Sequence, residues 1–447
     1  MRGTYAYVAL IVALLTTVQQ SRAEKYSLKE SIPEQRTYVV SSGMSVSGNL
    51  KTPTGGGKSF SLKLDVSGQF QFHSRRLPSA GRDAAAMRAV REYAIAKANI
   101  KVNDRTTTSQ LPQRRRIIVA HGRRDGAVLY SPKELLNSDE LELLKTPGDC
   151  LSIVALLPQN EVEVGDSWNP PSWVLQMMTG VEATLKSELT CKLDSVSNNV
   201  AKIRFDGSIE GAVLGANTKL AVTGACIFDI KQAFVSEWEI QQTEKRDVGA
   251  VSPGIDVTAK VRSRRAVTSK RPALPDGLID SIPLDPPAQA TLLRFDSPWN
   301  IQFSFGRDWH VFHQTTEVAV LRLLHQGGLL AQCNVSQVPS VGPGEHTPES
   351  QFQADVRAAL GTRFERIQRA EQIKTDDRRY LYRVTAVGKS NNIPMTWFYY
   401  ICASPEGRQL ALSFAVETKQ LETFANRDLD LVQRIKFLPR RVSTQPK

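Results

Sequence analysis

Alternation of apolar and polar residues is the feature that most limits how this chain can fold. The stretch 59–73 alternates in this way and places Phe60, Leu62, Leu64 and Val66 on one face. Successive side chains of a strand point to opposite faces, so this period predicts a sheet with one covered face. The same period recurs along the first half of the chain, which predicts a large antiparallel sheet.

The first domain predicted from this pattern spans residues 24–266 and is mainly antiparallel β, half-barrel or barrel-like. Asp125-Gly126 is typical of a tight hairpin turn between two strands. Helical spacing is confined to short stretches, one over 131–144 and one over 172–179. Strands therefore dominate this half of the chain.

A change in composition marks the boundary of a second domain. Residues 267–291 are rich in proline and predict a semi-rigid linker. Residues 292–439 then mix alternating strands with two helical stretches, the first opened by Thr347-Pro348-Glu349. A short basic tail, 440–447, ends the chain. Strands with helices on their faces predict an α+β protein of two domains.

The order of elements in the C-terminal region resembles the PsbP-like fold. The resemblance rests on Phe295-Asp296-Ser297-Pro298-Trp299, on Trp309, on the helix after Pro348, and on a final helix that leads into Arg434-Ile435-Lys436-Phe437. The family, which includes bacterial exported proteins of unknown role, is an α/β/α sandwich with an antiparallel sheet. The resemblance implies that fold and a binding or assembly module.

The N-terminal region is similar to uncharacterised bacterial exported proteins. The resemblance lies in the segment Leu156-Leu157-Pro158 and in the run from Val162 to Trp168. The β-rich layout is also similar to the half-barrel folds of periplasmic lipoprotein carriers. Neither resemblance implies a particular chemistry.

Residues 1–23 read as a cleavable signal peptide. Arg2 precedes an apolar run over 5–15, and Ser21-Arg22-Ala23 has the small residues of a cleavage site. The apolar run is about half the length of a membrane span. We therefore expect a protein that is exported to the periplasm or the cell exterior and does not span the membrane.

The chain is basic, with a formal charge of +12, and such a charge attracts nucleic acid, anionic envelope polymers or lipid headgroups. The basic residues are scattered rather than clustered, which favours solvated surface over a specific anionic partner. Export argues against nucleic acid. An envelope protein or an apolar ligand remains the expected partner, and the oligomeric state is open.

Five cysteines are widely spaced and form no Cys-x-x-Cys motif, so a zinc site is not predicted. An oxidising compartment permits disulfides, and the candidate pairs are Cys191 with Cys226 and Cys333 with Cys402. Buried free thiols are the equal alternative, because cysteine is among the most often buried residues.

No motif in the sequence predicts catalysis, a metal site or a cofactor. The run 55–59 resembles a phosphate loop, but Thr52 stands where that motif needs glycine. His310, His313 and His325 do not have metal-ligand spacing in an extended chain. The expectation is a non-enzymatic protein, and the alternative is an envelope-located hydrolase of unrecognised type.

A short stretch rich in tryptophan and methionine supplies the candidate ligand-binding residues Trp168, Trp173, Met177 and Met178. Such side chains suit adaptable apolar pockets. The competing interpretation is that this stripe packs onto the sheet as ordinary core. The sequence thus predicts an exported binding or scaffold protein of the cell envelope, with a partner protein or an apolar ligand.

Overall fold

The computed structural model describes residues 24–30, 36–53, 59–77, 83–268 and 274–439. The expected signal peptide 1–23, the glycine-rich stretch 54–58 and the basic tail 440–447 lie outside these ranges, as does the stretch 269–273 of the proline-rich segment.

The first half of the chain forms one antiparallel sheet of 12 strands. Eleven of them follow the spatial order β6-β5-β3-β2-β1-β12-β11-β10-β9-β8-β7, and β4 pairs with β3. The strands are β1 (Thr37–Pro53), β2 (Ser59–Arg76), β3 (Arg88–Val102), β4 (Arg105–Gln110), β5 (Ile117–Arg123), β6 (Gly126–Tyr130), β7 (Ser167–Trp168), β8 (Ala183–Ser197), β9 (Val200–Val213), β10 (Ala216–Asp229), β11 (Phe234–Arg246) and β12 (Gly254–Thr268).

Three short helices lie against one face of this sheet: α1 (Ser138–Leu144), α2 (Cys150–Ile153) and α3 (Trp173–Thr179). Asn137 begins α1 through a capping box with Glu140, since each side chain accepts a hydrogen bond from the other residue's backbone N–H. Gly180 ends α3 in the left-handed conformation that glycine adopts without strain.

The sheet curls around α3. A Cβ atom at Gly122 of β5 would lie 3.0 Å from Met177 Cε, and one at Gly207 of β9 would lie 3.1 Å from Leu175 Cδ2. These two strands are seven positions apart in the spatial order, which in a flat sheet is about 34 Å. A helix is only about 10 Å wide with its side chains. One helix can therefore contact both β5 and β9 only because the sheet is strongly concave.

The proline-rich segment packs against the first sheet. After the stretch 269–273, Leu274 is buried, and Ile279 of α4 (Asp276–Asp280) joins it in an apolar cluster with Val90 and Val119. The domain boundaries drawn from the sequence remain predictions, and the largest apolar cluster contains residues from both halves of the chain.

The second half of the chain contains two smaller antiparallel sheets. One has the order β13-β14-β22, with β13 (Leu293–Asp296), β14 (Ile301–Phe305) and β22 (Lys436–Phe437). The other has the order β15-β16-β17-β21-β20-β19-β18, with β15 (Trp309–Gln314), β16 (Val318–His325), β17 (Gly328–Val338), β18 (Phe364–Gln372), β19 (Tyr380–Ser390), β20 (Ile393–Ala403) and β21 (Gln409–Glu417). The helices are α5 (Glu349–Leu360), α6 (Leu421–Phe424) and α7 (Arg427–Gln433).

The predicted fold class, α+β with a PsbP-like α/β/α sandwich, is wrong. Strands account for 55% of the structure and helices for 16%, and most of the strands belong to one large sheet. The expected closing helix is broken at Ala425 into pieces of four and seven residues, so it forms no continuous helical layer. The protein is β-rich, as the alternating pattern of the first half indicated.

Candidate functional site

The four candidate ligand-binding residues lie in or beside the core. Trp173, Met177 and Met178 of α3 are buried among the inward-facing side chains of the curled sheet. Trp168 is half-buried, and its indole N–H donates a hydrogen bond to the Leu156 carbonyl at 2.8 Å. None of the four lines the cavities described below. In this structure, the stripe packs as core.

The concave face of the sheet extends beyond the helices that fill it. Ten apolar side chains lie on this extension; nine of them are partly buried, and Phe60 is 56% exposed. We call this surface the trough; its residues are Met44, Val46 and Leu50 of β1, Phe60, Leu62, Leu64 and Val66 of β2, Ile100 and Val102 of β3, and Ile255 of β12.

Strand register makes the trough continuous. Val66 lies opposite Val46 on one side and Ile100 on the other, and Leu50 lies opposite both Leu62 and Ile255. Directly opposite residues in an antiparallel pair have Cβ atoms about 5 Å apart, so these side chains touch across the strands. The surface runs about 20 Å along β2 and about 14 Å across from β3 to β12.

The two faces of these strands differ in chemistry. The side chains that alternate with the trough residues on β2, Lys63, Asp65 and Ser67, are polar. The trough side chains lie on the same face as the buried Phe70, which packs in the core. The trough is therefore a continuation of the core surface that nothing in the described part of the chain fully covers.

A polar ladder borders the trough on β11. Gln242, Glu244 and Arg246 lie opposite Ala259, Val257 and Ile255 of β12, on the concave face. Arg246 donates to Glu244 Oε1 from Nε at 2.9 Å and from Nη2 at 2.5 Å. The Gln242 side-chain amide lies 3.5 Å from Glu244 Oε2. Beyond the ladder, Leu220 and Val222 of β10 are buried.

Other cavities have different chemistry. One of about 370 Å³ is lined by Tyr93, Leu111 and Arg116. A groove of about 610 Å³ runs along the polar face of the small sheet, between Arg114 and Arg434. These two are lined by mixed polar and apolar groups rather than by a continuous apolar wall.

A third cavity, of only about 20 Å³, adjoins a buried ion pair between Arg91 and Asp149. Burial opposes ionisation of Asp149, but the Arg91 charge and its hydrogen bonds outweigh burial and lower the pKa of this carboxyl group. Asp149 also caps α2 by accepting the Leu151 N–H. The pair thus anchors α2 to the sheet.

Titratable side chains in the ranges that the structure describes include His310, whose pKa burial shifts. No group of three His, Cys, Asp or Glu side chains there is close enough to hold a metal ion. Burial, followed by the Lys145 charge, lowers the pKa of His310. None of the described helices is both long and apolar enough to cross a membrane.

All five cysteines are buried free thiols. The two predicted pairs are each separated by an intervening strand: β9 lies between Cys191 and Cys226, and β21 lies between Cys333 and Cys402. Two strand spacings are about 9.6 Å, beyond the roughly 7 Å that a disulfide spans between Cα atoms.

Comparison with known proteins gives distant likenesses only. No protein-family model matches the chain, and no curated protein matches it. A lipovitellin structure titled for lipid–protein interactions is similar over 54% of this chain and 26% of its own, at 10% identity and a TM-score of 0.29. OccK11 (OpdR) of Pseudomonas aeruginosa is similar over 88% of this chain and 98% of its own, at 7% identity and a TM-score of 0.14.

The translocator domain of the autotransporter NalP from Neisseria meningitidis is similar over 86% of this chain and 88% of its own, at 8% identity and a TM-score of 0.13. This chain spans about a quarter of the lipovitellin chain. Likenesses of this size assign neither a family nor an activity.

Proposed function

We propose that this chain is an exported, non-enzymatic binding protein of the cell envelope that holds an apolar ligand in the trough. The observation that carries the proposal is a continuous, concave, apolar surface left partly open beside a well-filled core. Apolar side chains scattered singly over a protein surface need no explanation, but a contiguous patch marks a binding site.

The energetics favour occupation of the trough. Covering one of the leucine or valine side chains of the trough, which are already largely buried, stabilises a complex by about 0.5 kcal/mol. A ligand that covers most of the trough would gain on the order of 5 kcal/mol or more, before the costs of association.

Concavity favours a small molecule over a protein partner. Small-molecule sites are concave, mostly apolar and largely pre-formed, and the curl of the sheet around α3 provides such a shape. A protein partner would have to place a matching convex ridge into the trough. Export to the cell envelope is proposed from the N-terminal sequence. In that compartment, an apolar molecule needs a carrier to cross water.

The test compares two single substitutions on adjacent residues of β2. Val66→Glu places a carboxylate in the centre of the trough, whereas Ser67→Glu places the same group on the opposite, solvated face. Binding of the apolar dye N-phenyl-1-naphthylamine, followed by fluorescence, is expected to be at least about tenfold weaker in Val66→Glu, because a buried charge is costly. Ser67→Glu should bind like the wild type.

Mass spectrometry of an organic extract of the gently purified wild-type protein supplies the second measurement. A stoichiometric apolar molecule would identify the natural ligand. Equal dye binding by the wild type and Val66→Glu, with both folded by circular dichroism, would refute the proposed site.

A further inference from the structure

The groove of about 610 Å³ along the polar face of the small sheet lies where the two halves of the chain meet. Arg114, Glu134 and Leu135 line it from the first half, and the second half contributes residues of β13, β14 and β22. Small-molecule sites occur preferentially at such junctions, and this volume is within the range of ligand pockets. The groove therefore has the position and the size of a ligand site, and it shares no residue with the trough.

Strand register places polar side chains next to one another along the groove. Arg294 of β13 lies opposite Ser304 of β14, and Gln302 of β14 lies opposite Lys436 of β22. Side chains two positions apart on a strand share a face, so these four residues lie on one face of the small sheet. All four line the groove. Backbone pairing thus fixes a wall of charged and hydrogen-bonding groups.

Ion pairs within the groove use part of its positive charge. Glu134 Oε2 lies 3.1 Å from Arg114 Nε and 4.0 Å from Arg294 Nη1. Arg294 also donates to Asp296 Oδ2, at 2.7 Å from Nη2 and at 2.9 Å from Nε. Both carboxylates that line the groove are therefore already paired with arginines.

Arg434 and Lys436 are the two cations of the groove that have no such partner. Both line it, and neither side chain forms an ion pair or a hydrogen bond with any residue in the described part of the chain. The lining residues thus carry four positive charges against two negative ones. A cleft with an excess of one charge attracts ligands of the opposite charge, and the arginine guanidinium matches the geometry of carboxylates and phosphates.

Two half-buried polar side chains add hydrogen-bonding capacity to the groove. Asn300 and Ser304 line it, and no residue in the described ranges hydrogen-bonds to either side chain. An amide and a hydroxyl each donate and accept hydrogen bonds, so both can bind the hydroxyl groups of a ligand. A bare inorganic anion would leave these groups and most of the volume unused.

From this combination we infer that the groove binds a sugar that carries a carboxylate or a phosphate group. Arg434 and Lys436 bind the anionic group, and Asn300 and Ser304 bind hydroxyl groups of the sugar. The inference goes beyond the proposed function, because it gives the chain a second, polar ligand at a site separate from the trough.

Isothermal titration calorimetry of the purified protein tests the inference with four probes: D-glucuronate, glucose 6-phosphate, glucose and inorganic phosphate. At least one of the two anionic sugars is expected to bind about tenfold more tightly than glucose and than inorganic phosphate. The first difference comes from charge-assisted hydrogen bonds to Arg434 and Lys436, and the second from hydroxyl groups that inorganic phosphate lacks. Tighter binding of one anionic sugar than of the other distinguishes a carboxylate from a phosphate ligand.

The test variant is Arg434→Gln with Lys436→Gln, which removes both unpaired charges. Its affinity for the anionic sugar is expected to fall to within about twofold of its affinity for glucose. The matched control is Lys260→Gln with Arg262→Gln, which removes the same two side-chain types, also two positions apart, from the exposed convex face of β12. The control should bind the anionic sugar like the wild type.

Several results would overturn the inference. If neither anionic sugar binds more tightly than glucose, the groove is not an anionic-sugar site. Equal weakening in both double variants would mean a general attraction of a basic protein for anions. Inorganic phosphate that binds as tightly as glucose 6-phosphate would mean a simple anion site without sugar recognition. Circular dichroism and the unfolding midpoint establish that the variants are folded, and Val66→Glu should leave sugar binding unchanged.

Discussion

At the scale of single residues, the sequence predicted which side chains share a face better than what covers them. The alternation at Phe60, Leu62, Leu64 and Val66 placed these side chains on one face, and in the structure all four belong to the trough. Alternation cannot distinguish a face that packs under helices from one that stays open. That difference depends on where α1, α2 and α3 end, which is set by contacts distant in sequence.

The cysteines illustrate the same limit. The sequence predicted that the cysteines lie in strands. It could not predict that another strand separates the two cysteines of each proposed pair, because strand order depends on long-range pairing. Burial raises the pKa of Cys150 and Cys402 to about 11 and that of Cys226 to about 12. The pKa values of Cys191 and Cys333 are also raised by burial.

We therefore expect the native protein to resist alkylation at every cysteine, because the thiolate is the reactive form and is scarce at neutral pH. Iodoacetamide in denaturant without reductant should then label all five, since all are free thiols. Intact-mass measurement counts the labels. A single label per chain would mean that both predicted pairs are oxidised, contrary to the structure.

At the scale of elements, the sequence predicted α3 with nearly correct bounds, but only the second half of the stretch 131–144 is helical, as α1. The helical spacing over 172–179 corresponds to α3, which spans Trp173–Thr179 and ends at Gly180. A stripe of Trp and Met at helical spacing is compatible with a pocket wall but is more often core. In the structure, the missing Cβ atoms of Gly122 and Gly207 let strands β5 and β9 approach α3 closely.

Core and trough should respond differently to the loss of side-chain atoms. Met177→Ala is expected to lower the free energy of unfolding by about 2–4 kcal/mol, since Met177 is 5% exposed and its removal leaves a cavity. Leu62→Ala should cost less than about 1 kcal/mol, because Leu62 is only half-buried. Urea unfolding of both variants measures the difference. Equal losses would mean that the trough is packed as tightly as the core.

At the scale of the whole molecule, the curl of the first sheet agrees with the half-barrel or barrel-like domain that the sequence predicted, but the docking of the second half could not be predicted from the sequence. Both halves contribute to one apolar cluster, and hydrogen bonds join them: the Arg294 backbone N–H donates to the Leu136 carbonyl at 2.8 Å, and the Arg307 side chain donates from Nη2 to the Leu129 carbonyl at 2.6 Å. Such contacts have no local sequence signal, because their acceptors are backbone carbonyls, which are the same at every position.

Two turns, one from each half, pack closely together. Gly215, in the β9–β10 turn, meets Gly327, in the β16–β17 turn, and a Cβ at Gly215 would lie 1.9 Å from the Gly327 carbonyl oxygen. Arg322 of β16 also donates a hydrogen bond to the Ala250 carbonyl in the loop between β11 and β12. The two turns can pack this closely because neither Gly215 nor Gly327 carries a side chain.

Gly215→Ala should therefore loosen the contact between the halves. Its φ of +72° costs any L residue about 1 kcal/mol, and the clash with Gly327 adds to that cost. Gly344→Ala is the matched control, because its φ is +78° and a Cβ there meets nothing within 4 Å. Urea unfolding should show a loss of about 1 kcal/mol for Gly344→Ala and a loss larger by at least about 1 kcal/mol for Gly215→Ala. Equal losses would show that the turns separate freely and that the second half is held by its other contacts alone.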